Sequence, residues 1–131
     1  MTGVQTCALP IYFANRAQYG AQFTATNPKS KVPVIVRDDG SVLTEYQAIS
    51  VWLGLTHPDA KLIPAGAEGF ARTLEAMDYI IGTMHGQAWR GAMRAVLVTP
   101  EEAAHPAIAQ RGREMVARGM EIMNEIGRAH V

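Results

Sequence analysis

A proline set inside a β-branched run constrains this chain more than any other feature. Lys31-Val32-Pro33-Val34-Ile35-Val36 reads as a short strand, and Asp38-Asp39-Gly40 supplies a turn with one residue that tolerates positive φ. Val42-Leu43 then resumes the apolar pattern, so the segment is a hairpin. Proline has no N–H to give to a ladder, so Pro33 requires an edge, a bulge or a cis peptide bond after Val32. From Glu45 to Leu53 the period changes. Ala48, Ile49, Trp52 and Leu53 fall on one side of a helix whose first turn suits Thr44 or Glu45. That helix packs back on the hairpin.

Two features of Asn27 to Leu53 go beyond packing. A cis bond at Pro33 would leave the Val32 backbone free for a ligand. The helix start at Glu45-Tyr46 offers unpaired N–H groups and a positive dipole end, which together seat a carboxylate. Jointly they could grip a small extended peptide. The plainer alternative is that Pro33 only limits the strand and the helix start faces water.

Beyond Leu53 the segment Gly54 to Gly66 carries helix-ending and loop-forming residues throughout and reads as a linker. From about Ala67 the period is helical. Phe70, Leu74, Met77, Ile81 and Met84 recur at three and four, describing one amphipathic helix to about Trp89. Thr99-Pro100-Glu101-Glu102 has the form of an N-cap with proline in the first position. A last helix is predicted over about Pro106 to Asn124, with Ile108, Met115, Gly119 and Ile122 inward. The methionines on these faces read as core filler.

The 131 residues allow one domain or two small ones, and 48% hydrophobic residues suffice for a core. The formal charge is zero, which gives no support to a nucleic-acid or acidic-membrane partner. No stretch has the apolar length to span a bilayer, and Met1 to Ile11 lacks the form of a signal peptide. The single cysteine, Cys7, excludes an internal disulfide, and a cytoplasmic protein is the simplest reading. TGVQTCALPI shows neither a helix start nor a cationic neighbour to activate that thiol.

The two ends are related in an unexpected way. Thr6-Cys7-Ala8-Leu9-Pro10-Ile11 can be encoded by ACG TGT GCT CTT CCG ATC followed by T. The reverse complement, read as AG ATC GGA AGA GCA CAC GT, gives Ile126-Gly127-Arg128-Ala129-His130-Val131. Opposite ends of a folded protein have no reason to share a coding relation. Residues 1–11 and 126–131 are therefore expected to be translated sequencing adaptor, with native sequence from Tyr12 to Glu125.

The succession Asn27-Pro28-Lys29-Ser30-Lys31-Val32-Pro33, Asp38-Asp39-Gly40, Leu43-Thr44-Glu45-Tyr46-Gln47-Ala48-Ile49 and Trp52-Leu53 resembles the second half of the thioredoxin-like domain of soluble glutathione transferases. Order and spacing agree through Leu62-Ile63-Pro64. Glu75-Ala76-Met77-Asp78-Tyr79-Ile80 and His85 resemble the bacterial, beta-class pattern at the start of the helical domain. The resemblance implies an α/β plus all-α chain: the hairpin and helix of a thioredoxin-like domain over 12–63, then the first helices of a helical substrate domain over 67–125. It also implies a cis Val32-Pro33 bond and truncation at both ends. The residue that activates the thiol would then lie in an absent N-terminal part.

By the same resemblance Val32 and Pro33 meet the cysteinyl part of glutathione, Glu45 and Tyr46 hold the γ-glutamyl end, and Lys31 lies near the glycyl carboxylate. Tyr46 stands where the family usually has Ser, so only its backbone N–H can serve. Asp78, in place of Asn, would reach the glutathione amino group across a homodimer, and His85 would face the cleft as an auxiliary. The implied function is conjugation of glutathione, as co-substrate, to small electrophiles, with no metal, nucleic acid or membrane involved and with this chain alone inactive. The alternative is a non-catalytic, transferase-like interaction module.

Overall fold

A computed structural model describes residues 11–129, which divide into two compact units between Leu62 and Ile63. In the first, 3-10 turns at Phe13–Asn15 and Ala17–Tyr19 lead into the short helix α1 (Ala21–Thr26). Strands β1 (Val34–Val36) and β2 (Val42–Thr44) follow, then helix α2 (Tyr46–Thr56) and a 3-10 turn at Pro58–Ala60. The two strands pair antiparallel with Val34 opposite Thr44, Ile35 opposite Leu43 and Val36 opposite Val42.

The turn between them is built as its residues dictate. Gly40 takes φ 79°, and its N–H donates to the Arg37 carbonyl at 2.8 Å. The Arg37 N–H donates to the Ser41 carbonyl at 2.9 Å, closing the hairpin. Asp39 Oδ1 accepts from the Ser41 N–H at 2.9 Å and also from the Ser41 hydroxyl, which holds the Asp39 carboxyl below its ordinary pKa.

α2 touches both strands and buries Ile49 to 7% exposure, while Trp52 is half-buried with the Arg37 guanidinium 5.9 Å from its ring centre. The apolar side expected of this helix is narrower in the structure. Ala48 and Leu53 are exposed, because a two-stranded ladder covers only the stripe that runs through Ile49. Phe23 of α1, Asn27 and Gly54 of α2 are the other buried residues of this unit among those described.

In the second unit α3 (Gly66–Asp78) continues without a break into a π-helical stretch, Tyr79–Trp89, and then α4 (Arg90–Met93). The sequence predicts one regular helix to Trp89. The widened turns fall where Gly82 and Gly86 lower the local preference for α geometry. The cap expected at Thr99 is also different. Thr99 Oγ1 accepts from the Glu101 N–H at 3.2 Å, forming a local turn, and a 3-10 turn at Glu102–Ala104 precedes the last helix, α5 (His105–Ala129). Pro106 sits in the first turn of α5, where its missing N–H costs nothing.

α5 packs on α4 and on the π-helical stretch through small residues. Gly112 has no room for a side chain: a Cβ there would lie 2.7 Å from the Ala88 carbonyl oxygen and 2.8 Å from the Ala92 Cα. Ala88 is fully buried in that contact. About two turns further along α5, Met84 lies over Gly119, and it is 6% exposed. Phe70, Leu74, Met77 and Ile81 are half-buried, as are Ile108, Met115 and Ile122. Among the described residues no helix is long and apolar enough to cross a membrane.

Candidate functional site

The β1–β2 register brings the sequence-predicted residues of the first unit to one end of the hairpin. Val34 lies opposite Thr44, so the chain entering β1 at Val32-Pro33 and the chain leaving β2 at Glu45-Tyr46 are neighbours. The Val32-Pro33 bond is cis, the third of the arrangements that the proline allowed. Lys31, Val32, Pro33, Glu45 and Tyr46 are all exposed, which leaves this end of the ladder open to a ligand.

Glu45 is the conformational outlier of the group. It precedes α2 at φ 73° and ψ 127°, a region that non-glycine residues seldom occupy, and its side chain makes no capping bond to the helix. The carboxylate turns instead to Lys29, whose Nζ lies 2.7 Å from Glu45 Oε1 and 2.9 Å from Thr44 Oγ1. The hydrogen bond and charge of Lys29, with the charge of Lys31 behind them, hold the Glu45 carboxyl below its usual range. The first N–H groups of α2 are thereby left without a side-chain acceptor, and the dipole end beside them favours an anion.

Asn27 supports this end from beneath. It is 1% exposed, and its Nδ2 donates to the Lys31 carbonyl oxygen at 2.6 Å while its Oδ1 accepts from the Lys29 N–H at 3.2 Å. Neither Asn27 nor Lys29 stood out as a site residue in the sequence. The Asn-Pro dipeptide marks a turn start and was a signal for the first. Nothing local signals a lysine whose partner lies sixteen positions on.

The remaining two candidates lie in the second unit. Asp78 is the exposed last residue of α3. His85 is exposed on the π-helical stretch and lines a hollow of about 360 Å³ with Ile80, Met84, Trp89, Met120 and Met123. Among the described residues no three His, Cys, Asp or Glu side chains come together as a metal site. Cys7 lies outside the described residues, as do residues 1–10 and 130–131 of the two ends expected to be adaptor, while 126–129 continue α5.

A hairpin entered through a cis-proline and backed by a helix, followed by a helical unit, is the second half of a thioredoxin-like domain joined to the start of an all-helical one. Residues 6–56 match the family described as Glutathione S-transferase, N-terminal domain. Glutathione S-transferase GstA of Escherichia coli O157:H7 is 37% identical over 71 residues, covering 53% of this chain and 35% of that protein. A glutathione transferase homolog from Sulfitobacter, solved with bound glutathione, superimposes with a TM-score of 0.75 at 26% identity, covering 86% of this chain and 54% of that one. For a glutathione transferase from Methylococcus capsulatus the TM-score is 0.67 at 30% identity, with coverages of 84% and 51%. Over residues 6–56 the chain thus carries the N-terminal domain of the glutathione S-transferase family, and beyond it the fold continues as in solved glutathione transferases. It spans about half the length of these solved relatives and about a third of the curated one.

Proposed function

We propose that the open end of the hairpin binds glutathione, and that the whole protein conjugates it to small electrophiles. The observation that carries this reading is Glu45: an uncapped helix start, held in a rare backbone conformation beside the exposed Val32-Pro33 segment. Backbone outliers of this kind concentrate where a ligand is gripped. The Sulfitobacter relative, solved with bound glutathione, supports the choice of ligand.

In this reading the Val32 backbone pairs with the cysteinyl unit, with Pro33 shaping its approach. The Tyr46 N–H at the start of α2 receives the γ-glutamyl carboxylate, and the Glu45 carboxylate takes the γ-glutamyl ammonium. Lys31 lies toward the glycyl carboxylate. Asp78 serves the amino group from the other subunit of a homodimer, and His85 assists from the helical domain.

Conjugation proceeds by attack of the glutathione thiolate on an electrophilic carbon. The carbon–sulfur bond forms as a leaving group departs with its electron pair, or as the resulting carbanion takes a proton. Only the thiolate is reactive, so the enzyme's task is to lower the thiol pKa and aim the sulfur. No residue of this chain is assigned that step, and the 131-residue chain alone is inactive in this reading. The domain limits of 12–63 and 67–125, the adaptor origin of 1–11 and 126–131, a cytoplasmic location and the absence of a metal cofactor belong to the same reading.

Titrating the ¹⁵N-labelled chain with glutathione tests the binding site. The Val32, Tyr46 and Gln47 amide resonances should move together, and a response confined to the helical unit would overturn the assignment. Conjugation of 1-chloro-2,4-dinitrobenzene by the purified chain would overturn its inactivity. Long-read sequencing of the source DNA decides the adaptor origin of the ends.

A further inference from the structure

Asn27 is the largest fully buried side chain among the described residues, and it is polar. Such a group is retained only when its hydrogen bonds are made, and here all but one serve one short loop. Its own N–H donates to the Phe23 carbonyl at 2.8 Å, ending α1, and its carbonyl accepts from the Ser30 N–H at 3.0 Å. Its side chain takes the Lys29 N–H with one end and the Lys31 carbonyl oxygen with the other. The residues between are wound around it, with Ser30 at φ 55°.

The bond to Lys31 has a directional consequence. The Lys31 carbonyl and the Val32 N–H belong to one planar trans peptide unit, in which C=O and N–H point in opposite directions. Drawing the carbonyl inward onto the buried Nδ2 therefore turns the Val32 N–H outward, at a residue that is 44% exposed. We propose that Asn27 is a positioning residue that aims the Val32 N–H at the cysteinyl peptide unit of glutathione; this rests on the glutathione reading above. Neither aspartate nor alanine serves as well. Aspartate presents no donor to the Lys31 carbonyl when ionised, and alanine leaves both loop groups without partners.

Asn27→Asp tests the assignment with two ligands measured on the full chain: glutathione, and γ-glutamylmethylamide, which has the glutamyl end but no cysteinyl unit. Loss of one directing hydrogen bond should weaken glutathione about tenfold, while the fragment binds within about twofold of its wild-type affinity. Equal weakening of both ligands would mean that Asn27 only supports the fold, and unchanged binding of both would remove it from the site; either overturns the proposal. Wild-type protein that binds no glutathione overturns the functional reading itself, an outcome distinct from these. Should Asn27→Asp not fold, the wild-type spectrum decides. Glutathione must shift the Asn27 side-chain amide resonances together with the Val32 amide, and a Val32 response with Asn27 unmoved overturns the proposal.

Discussion

Lys29 Nζ is within 2.7 Å of Glu45 Oε1, so a loop residue before the hairpin and the residue before α2 are joined by an ion pair across its open end. Both side chains are about half exposed, and such a pair adds little to stability. Its effect is on the carboxylate, which is kept ionised and turned away from the helix it precedes. Lys29→Met should return the Glu45 carboxyl toward the ordinary value of about 4.3, read by its ¹³C resonance against pH. A depressed carboxyl pKa stabilises the fold above the unfolded value and loses that contribution as pH falls through the folded one. In Lys29→Met the contribution should therefore be missing at neutral and alkaline pH, as a constant offset, and the decline of stability on the acid side should be correspondingly shallower.

The backbone of Glu45 sets stability against binding. At φ 73° and ψ 127° a glycine is less strained than glutamate, so Glu45→Gly should leave the melting temperature unchanged or raise it, by an amount corresponding to about 1 kcal/mol. The same variant removes the carboxylate and should weaken glutathione by at least tenfold. Thermal melts and a glutathione titration on one preparation measure the two effects separately.

Gly112 and Gly82 give opposite predictions for the same substitution. Gly112→Ala drives a methyl group into the Ala88 carbonyl and the Ala92 backbone, where no flexible side chain can yield, and should cost about 1–3 kcal/mol. Gly82→Ala meets nothing within 4 Å, removes unfolded-state entropy and should be neutral or stabilising. Differential scanning calorimetry of the two variants checks both signs.

Asp39→Asn should loosen the hairpin turn. The carboxylate accepts two bonds from Ser41, and these bonds to its ionised form hold it below its ordinary pKa. Faster amide exchange at Gly40 and Ser41 is the expected result, with α2 protection unaltered.

The hairpin was legible because its signals are local: β-branched residues at period two, and a turn tripeptide whose glycine takes the positive φ. α2 and the last helix were legible for the same reason, through apolar residues at three and four. Pro33 narrowed the backbone to three arrangements and no further, because edge, bulge and cis bond all satisfy a residue without an N–H. The conformation of Glu45 left no trace in the sequence. Glutamate is an ordinary first-turn residue, and its φ is imposed by the exit of β2 and by Lys29. The π-helical stretch was equally hidden, since the spacing of Met77, Ile81 and Met84 suits a regular helix and only Gly82 and Gly86 weaken it. Asn27 opens the Asn27–Pro33 motif, but its role depends on four hydrogen bonds at the start of the loop, and spacing does not reveal those.

The wide turns of Tyr79–Trp89 hold more residues per turn than the α-helices that flank them. That stretch carries surplus chain. A lineage that lost one residue there could tighten the stretch toward α geometry and keep Gly112 seated against Ala88 and Ala92, whereas the same loss inside α3 would rotate everything beyond it. The segment that lines the His85 hollow is thus the part of this helix where a one-residue deletion should be borne best.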